Sequence, residues 1–229
     1  MPRHIGIVGC SAEGAALCYR TICVEGAGIF GRHNHPEVTM HTFPLAAHMK
    51  LIEAGRWQDE GELLLESARK LADAGADFFI CPDNTAHQAV DLIRDRSPRP
   101  WLHIAEEVAA VARQRGFRKV GILGTRYLME GPVYPEKMTV AELDHLIPDK
   151  ADRETINRII FDELVYGRFE TAARSEFVRI IDRLKDKGCD AIALSCTEIP
   201  LLISDADSSL PTLDSTRILA RAALRAATT

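Results

Sequence analysis

Two short polar segments carry the residue types that acid–base chemistry at a carbon atom requires. Asp83-Asn84-Thr85 follows the apolar stretch 78–81, and Cys196-Thr197-Glu198 follows the apolar stretch 191–194. A carboxylate and a thiol can each accept a proton from a substrate or return one to it. Asp83 and Cys196 are therefore the candidate catalytic residues of this sequence.

An internal repeat relates these two segments to each other. Three pairs of segments match in the same order at nearly constant offsets of 115, 113 and 111 residues: 4–10 with 119–125, 74–83 with 187–196, and 100–103 with 211–214. The alternative is that all α/β proteins repeat strand, turn and helix, without any closer relation between their halves. The order and spacing favour two similar halves related by a pseudo-twofold axis.

Short apolar strands alternate with helical patterns along the whole chain, and this predicts an α/β fold with parallel sheets. We expect two pseudo-symmetric Rossmann-like lobes, residues 1–98 and residues 115–210. A connector helix over 99–114 and a C-terminal helix over 214–226, which crosses back to the first lobe, are expected to join them. Glycine, proline and polar residues predict loops over 26–36 and 145–153.

Parallel α/β sheets bind ligands beyond the carboxyl ends of their strands. A pseudo-twofold axis would place the ends of the two apolar stretches opposite each other, so that Asp83 faces Cys196 across a cleft between the lobes. Two such groups on opposite sides of a small molecule suit an enzyme that acts on both faces of one carbon atom.

Composition excludes several classes of function. The formal net charge of −5 provides no basic surface for nucleic acid, and no apolar run reaches the roughly 18 residues that a membrane span requires. The six cysteines lack C-x-x-C spacing, and the N-terminus lacks a signal-peptide pattern, so we expect free thiols and a cytoplasmic protein. His33 and His35 have no nearby cysteine or aspartate partner, and no metal site is predicted.

The two polar segments resemble the catalytic signatures of the aspartate/glutamate racemase superfamily. Asp83-Asn-Thr-Ala-His87 is similar to C-N-T-A/M-H, and Ser195-Cys-Thr-Glu-Ile-Pro200 is similar to G-C-T-E-x-P. The resemblance extends over nearly the whole chain. The pair Thr197-Glu198 is more similar to the aspartate or broad-specificity branch than to the glutamate branch, in which histidine usually follows the threonine.

This resemblance implies a cofactor-independent enzyme, without pyridoxal phosphate, that moves the α-proton of an amino acid or a related small carboxylate. It also implies a homodimer. The substrate carboxylate is expected to contact the polar residues at matching motif positions: Ser11, Asn84, Thr85, Thr125 and Thr197. His87 and Glu198 are expected to support the catalytic groups from behind, through hydrogen bonds.

One departure from the family pattern matters for the mechanism, since Asp83 stands where the family has cysteine. Cys81 lies two residues earlier and is interpreted as a core residue. A free aspartic acid, with a pKa of about 3.9, is only about 0.1% protonated at pH 7, whereas a free thiol is mostly protonated. The resting pair would then be a carboxylate base and a thiol acid.

Three functions fit this pair. The first is a racemase or epimerase, in which Asp83 and Cys196 exchange protons with opposite faces of the α-carbon. The second is an isomerase, decarboxylase or lyase, in which a single cysteine acts and Asp83 orients the substrate or a water molecule. The third is a catalytically inactive protein that binds small carboxylates.

Overall fold

The structure, a computed structural model, describes residues 2–228. They form two compact units, one made of the residues up to Glu107 together with those from Thr216, and the other of Val108–Ser215. Each unit is built on one four-stranded parallel sheet. The predicted α/β fold with two Rossmann-like lobes is confirmed.

The first unit alternates strands with helices from its beginning. Its elements are, in chain order, β1 (Ile5–Gly9), α1 (Ala12–Phe30), β2 (Val38–Thr42), α2 (Leu45–Glu53), α3 (Trp57–Asp73), β3 (Phe78–Ile80), α4 (His87–Val90) and β4 (Trp101–Leu102). Helix α5 (Ile104–Gln114) then carries the chain into the second unit.

The second unit repeats this alternation. Its elements are β5 (Lys119–Leu123), α6 (Arg126–Met129), α7 (Val133–Val140), β6 (Asp144–Leu146), α8 (Lys150–Asp162), α9 (Thr171–Asp186), β7 (Ala191–Leu194), α10 (Ile199–Leu202) and β8 (Thr212–Asp214). Helix α11 (Ser215–Ala226) returns the chain to the first unit. No helix within residues 2–228 has both the length and the apolar character that crossing a bilayer requires.

The two sheets have the same topology, and their registers reproduce the sequence repeat. The strand order is β2-β1-β3-β4 in the first sheet and β6-β5-β7-β8 in the second. Ile5 pairs with Phe78 in the first sheet, and Val120 pairs with Ala191 in the second. These partners differ by the offsets of 115 and 113 residues found in the sequence, so the repeat is structural.

The turn before each central strand shows the same correspondence. The Asp77 carboxylate accepts the His4 N–H at 2.7 Å, and the Asp190 carboxylate accepts the Lys119 N–H at 3.1 Å. The helices that precede these aspartates both end at a glycine with positive φ, a conformation that only glycine adopts without strain: Gly75 (φ 97°) and Gly188 (φ 87°).

Each sheet is covered by apolar helix faces. In the first unit, Leu64 and Leu71 of α3 pack on one side of the sheet, and Ile22 of α1 and Leu219 of α11 belong to a separate apolar cluster with β1 and β3. In the second unit, α8 and α9 supply most of the core against β7: Ile156, Ile159, Ile160, Phe177, Ile180, Ile181 and Leu184. Burial on both faces is what parallel strands require.

Two predicted loops are shorter than expected. Residues 26–30 belong to α1, and only residues 31–36 of the first predicted loop lie outside a helix or strand. A glycine is required at position 26 of this helix, because a Cβ there would lie 2.8 Å from that of His35. The segment 145–153 contains the end of β6 and the start of α8. Helix α8 begins after Asp149, whose carboxylate caps the Asp152 N–H at 3.1 Å.

We predict that Phe177→Ala lowers the free energy of unfolding by about 3–5 kcal/mol, because the substitution leaves a cavity in a core that closes around this ring. Urea denaturation of the protein, followed by circular dichroism, measures the effect. Phe169→Ala, at a ring that is 39% exposed, is the matched control and should stay within about 0.5 kcal/mol of the native value. Equal losses in the two variants would contradict this account of the core.

Candidate functional site

Ser11 marks the carboxyl end of β1. It is the N-terminal cap of α1, and its Oγ accepts the Gly14 N–H at 3.2 Å. A hydroxyl that accepts this N–H can still donate its own proton. Because the first turn of α1 also carries partial positive charge, this position is suited to hold an anionic group.

Asp83 lies three residues after β3, and its side chain is fixed by the backbone. Its Oδ1 accepts the Ala86 N–H at 2.9 Å, and the residue is half-buried. A hydrogen bond from a backbone N–H stabilises the ionised form of a carboxyl group over the neutral form. The contact therefore favours Asp83 as a base over Asp83 as an acid.

His87, at the start of α4, contacts the backbone of Asp83. Nδ1 lies 2.8 Å from the Asp83 carbonyl oxygen, and Nε2 accepts the Ile104 N–H at 3.1 Å. This pair of contacts assigns the proton to Nδ1 and leaves the ring neutral. Burial lowers the pKa of His87 well below its usual range, and the neighbouring His103 ring, 4.4 Å away between centroids, lowers it further.

Asn84 and Thr85 lie between these two residues and are both buried. Their carbonyl oxygens accept the first N–H groups of the turn that leads into α4, from His87 and Gln88, at 3.2 Å each. The backbone from 83 to 88 is thus a compact turn at the end of β3.

Thr125 occupies the carboxyl end of β5 in the second unit. It is the N-terminal cap of α6, and its Oγ1 accepts the Leu128 N–H at 3.3 Å. Ser11 in the first unit has the same function at the start of α1. A capping hydroxyl thus follows β1 in the first sheet and β5, the corresponding inner strand, in the second.

The second unit brings Cys196, Thr197 and Glu198 together on one carboxylate oxygen. The Cys196 Sγ lies 3.0 Å from Glu198 Oε2, and the Thr197 Oγ1 lies 2.8 Å from the same atom. Thr197 and Glu198 are buried at 4% exposure each, whereas Cys196 is half-buried. The thiol therefore reaches the surface of the unit while its proton acceptor lies beneath it.

This arrangement has a clear chemical capacity. An ordinary thiol is only a few per cent thiolate at pH 7, and the thiolate is the reactive form. A carboxylate at hydrogen-bond distance can take the thiol proton when the thiolate is needed. In the opposite state, with the proton on sulfur, Cys196 is an acid.

The sequence assigned no function to His103, which the structure places against His87. His103 is buried, and its Nε2 lies 3.6 Å from a carboxylate oxygen of Asp91. The repeat had matched the segment around His103 with the segment around Asp214. That match marks both as strand ends, but it could not indicate that the two imidazole rings are in contact.

Comparison with known proteins places the chain among racemases. The family model for Asp/Glu/hydantoin racemases matches residues 7–223. Among curated proteins, the broad specificity amino-acid racemase RacX of Bacillus subtilis is 23% identical over 202 residues, which cover 87% of this chain and 85% of that protein.

Two solved structures resemble the whole chain. A protein of Yersinia pestis described as a candidate Asp/Glu racemase is 34% identical, covers 99% of this chain and 100% of its own, and superposes with a TM-score of 0.91. An aspartate racemase homologue of Pyrococcus horikoshii is 28% identical, covers 100% of both chains, and has a TM-score of 0.85.

We predict that His87 makes the stability of the protein fall below about pH 6.5. Because the folded pKa is lower than the unfolded value of about 6.5, the unfolded state binds an additional proton in this range. As the pH falls, the free energy of unfolding should therefore decrease more steeply in the native protein than in His87→Asn. The difference between the two slopes should be about 1.4 kcal/mol per pH unit. Urea titrations between pH 5 and pH 8 provide the comparison.

The exposed His33 serves as the control for this experiment, and His33→Asn should keep the native pH dependence. If the native protein and His87→Asn lose stability in parallel as the pH falls, His87 is not the residue that titrates.

Proposed function

Because the chain belongs to the Asp/Glu/hydantoin racemase family, we propose that it is a cofactor-independent racemase or epimerase of an amino acid or a related small carboxylate. In this proposal Asp83 and Cys196 transfer protons at opposite faces of the α-carbon. The observation that carries the proposal is the hydrogen bond from the Cys196 thiol to Glu198. Cys196 follows β7 at the position that corresponds, in the internal repeat, to the position of Asp83 after β3.

In one direction, the Asp83 carboxylate removes the α-proton and the Cys196 thiol delivers its proton to the other face. The electron pair of the broken C–H bond passes into the substrate carboxyl group as an enolate and then forms the new C–H bond. The products are the opposite enantiomer, a protonated Asp83 and a Cys196 thiolate. Exchange with solvent resets both groups.

In the reverse direction the base is the Cys196 thiolate, and a protonated Asp83 delivers its proton to the other face of the α-carbon. Glu198 accepts the thiol proton across the 3.0 Å contact before the substrate reacts. Thr197 donates to the same carboxylate oxygen, and this hydrogen bond holds the acceptor in place whether or not Glu198 carries the proton. We assign Glu198 as the positioning residue and proton acceptor of Cys196.

The enolate intermediate requires hydrogen-bond donors around the substrate carboxylate. We assign this task to hydroxyl, amide and backbone groups at the strand ends: Ser11, Asn84, Thr85, Thr125 and Thr197. The capping geometry of Ser11 and Thr125 supports the assignment, because each hydroxyl is fixed by an accepted N–H and can still donate.

A second function is favoured by the geometry of Asp83. The hydrogen bond from the Ala86 N–H supports an ionised Asp83, which can remove a proton but holds none to return. A carboxylate and a thiol in fixed roles suit an isomerase, decarboxylase or lyase in which Cys196 alone delivers the proton. An inactive protein that binds small carboxylates is the third outcome that experiment can distinguish.

We further propose that the protein is a homodimer in the cytoplasm that binds neither nucleic acid nor membrane. The family resemblance supports the dimer. All six cysteines are free thiols, which agrees with a reducing compartment. The mass in solution, measured by light scattering, tests the dimer directly.

We predict that Cys196→Ala and Asp83→Asn each abolish interconversion of enantiomers but spare different half-reactions. In D₂O, Cys196→Ala should still exchange the α-proton of the enantiomer that faces Asp83. Asp83→Asn, which keeps the acceptor for the Ala86 N–H, should still exchange the α-proton of the other enantiomer. Proton NMR with a panel of enantiopure amino acids and small carboxylic acids measures both effects.

Two other results are informative in this experiment. Chemical conversion without inversion would replace the racemase with the isomerase, decarboxylase or lyase. Ligand binding without exchange or conversion would leave only the binding protein. The half-buried Cys23, in α1, provides the control, because Cys23→Ser should leave both exchange reactions unchanged.

We also predict that Glu198→Gln lowers the rate of proton removal by Cys196 by about 10²-fold while substrate KM changes little. The amide oxygen can accept the thiol hydrogen bond but cannot accept its proton. Because thiolate must then form without help, the remaining rate should rise with pH toward the ordinary thiol pKa of about 8.5. A pH profile identical to that of the native protein would exclude Glu198 as the proton acceptor.

A further inference from the structure

A cluster of buried ligand-type side chains lies inside the first unit, apart from the groups assigned above. The Cys10 Sγ, a ring nitrogen of His48 and a carboxylate oxygen of Glu60 all lie within 4.8 Å of one another. Their exposed fractions are 4%, 1% and 0%. Cys10 follows β1, His48 belongs to α2 and Glu60 to α3.

Two polar atoms of this cluster have no hydrogen-bond partner among the described residues. His48 Nδ1 and Glu60 Oε1 are 2.7 Å apart and form one hydrogen bond, but His48 Nε2 and Glu60 Oε2 are both buried without a partner. A buried polar atom left without a partner costs about 1–3 kcal/mol, so two of them in one cluster require an explanation.

The fold itself does not require polar side chains at this place. At the offset of 113 residues, Glu60 corresponds to Ala173 in α9, and Cys81, a neighbour of the cluster, corresponds to Leu194 in β7. Ala173 and Leu194 are both buried in the apolar core of the second unit. The same architecture therefore accommodates apolar residues where the first unit has Glu60 and Cys81.

We propose that Cys10, His48 and Glu60 bind a divalent cation of the zinc type. Thiolate, imidazole and carboxylate are the ligands that zinc prefers, and the two unpartnered atoms are lone-pair donors for it. Charge also balances, because one thiolate and one carboxylate neutralise a divalent cation while the imidazole stays neutral. Relative to the uncharged cluster, binding releases two protons to solvent, one from the thiol and one from the His48–Glu60 pair.

Cys81 adjoins the cluster but lies outside the group of three ligand atoms. Its Sγ lies 3.8 Å from the Cys10 Sγ. In the absence of metal, the hydrogen bond with Cys81 and then burial raise the pKa of the Cys10 thiol well above its usual range. A bound cation reverses this effect, because it deprotonates the thiols that coordinate it.

The position of this site gives it a structural consequence for the proposed active site. Cys10 directly precedes the capping residue Ser11, and Cys81 lies two residues before Asp83. A cation held by Cys10, α2 and α3 would fix the turn at Ser11 to the core of the first unit, and the contact of Cys10 with Cys81 links it to the segment that leads to Asp83. The inference goes beyond the proposed function and does not depend on which reaction the protein catalyses.

Cobalt binding tests the proposal, with Co²⁺ as a spectroscopic substitute for zinc. The full chain is refolded with and without one equivalent of Co²⁺, because the cluster is buried and the cation enters most readily before the core closes. The expected result is one Co²⁺ per chain with a thiolate-to-cobalt charge-transfer band. Zinc should displace the cobalt and abolish the band.

The variants Cys10→Ser, His48→Gln and Glu60→Gln should each weaken cobalt binding at least about 10-fold, with the thiolate band lost in Cys10→Ser. Cys18→Ser is the matched control, since Cys18 is equally buried in the same unit but lies outside the cluster. It should bind cobalt as the native chain does.

Native protein that refolds without retaining cobalt, or a band that persists in Cys10→Ser, would overturn the proposal. Because the first readout uses the native chain alone, a variant that fails to fold does not prevent the test. The readouts are metal content and absorption, so their outcome is separate from that of the racemase assays.

Discussion

All strands of each sheet run in one direction, and the rest of the molecule depends on this. Parallel strands cannot be joined by tight turns, so each must be followed by a crossover that contains a helix. All strands of a sheet also end at the same edge. Ser11 and Asp83 therefore come to one edge of the first sheet, and Thr125 and Cys196 come to one edge of the second.

The internal repeat preserved the backbone of this edge and changed its chemistry. After β3, a carboxylate is held by the backbone N–H of Ala86, which stabilises negative charge. After β7, a thiol is held by the carboxylate of Glu198, which leaves the proton on sulfur or accepts it. One unit therefore presents a carboxylate with a backbone donor, and the other a thiol with a carboxylate acceptor. A chain with two identical halves would lack this difference between its two proposed catalytic groups.

The sequence predicted the parts of the fold that have a strong local pattern. The apolar stretches at β1, β3 and β7 were evident, because strands buried on both faces consist of continuous apolar residues. The two-residue strand β4 is too short for such a pattern, and β6, with the sequence Asp-His-Leu and no buried residue, is not apolar. The glycines near the end of α1 indicated a loop, because glycine is common in loops. The sequence could not show that Gly26 is instead a helical residue that packs closely against His35.

The same distinction applies to the site. Thr197 and Glu198 are neighbours of Cys196 in the chain, so their contact with it could be predicted as a motif. The hydrogen bond between His87 and the Asp83 backbone spans one helical turn, and the sequence could not decide which atoms it joins. The cluster of Cys10, His48 and Glu60 has no motif at all, because three separate elements supply its members.

The cluster of Cys10, His48 and Glu60 lowers the stability of the first unit as long as its buried polar atoms have no partner. A protein of this kind is stable by about 5–15 kcal/mol, and two unpartnered buried atoms cost about 1–3 kcal/mol each. The second unit shows that alanine and leucine fill the corresponding positions of the same architecture. The unpartnered atoms of His48 and Glu60 are the part of this cluster that the apolar counterpart of Glu60 in the second unit does not have to accommodate, and the proposed cation would satisfy them. It would also join three segments of the first unit, one of which leads into the turn at Ser11.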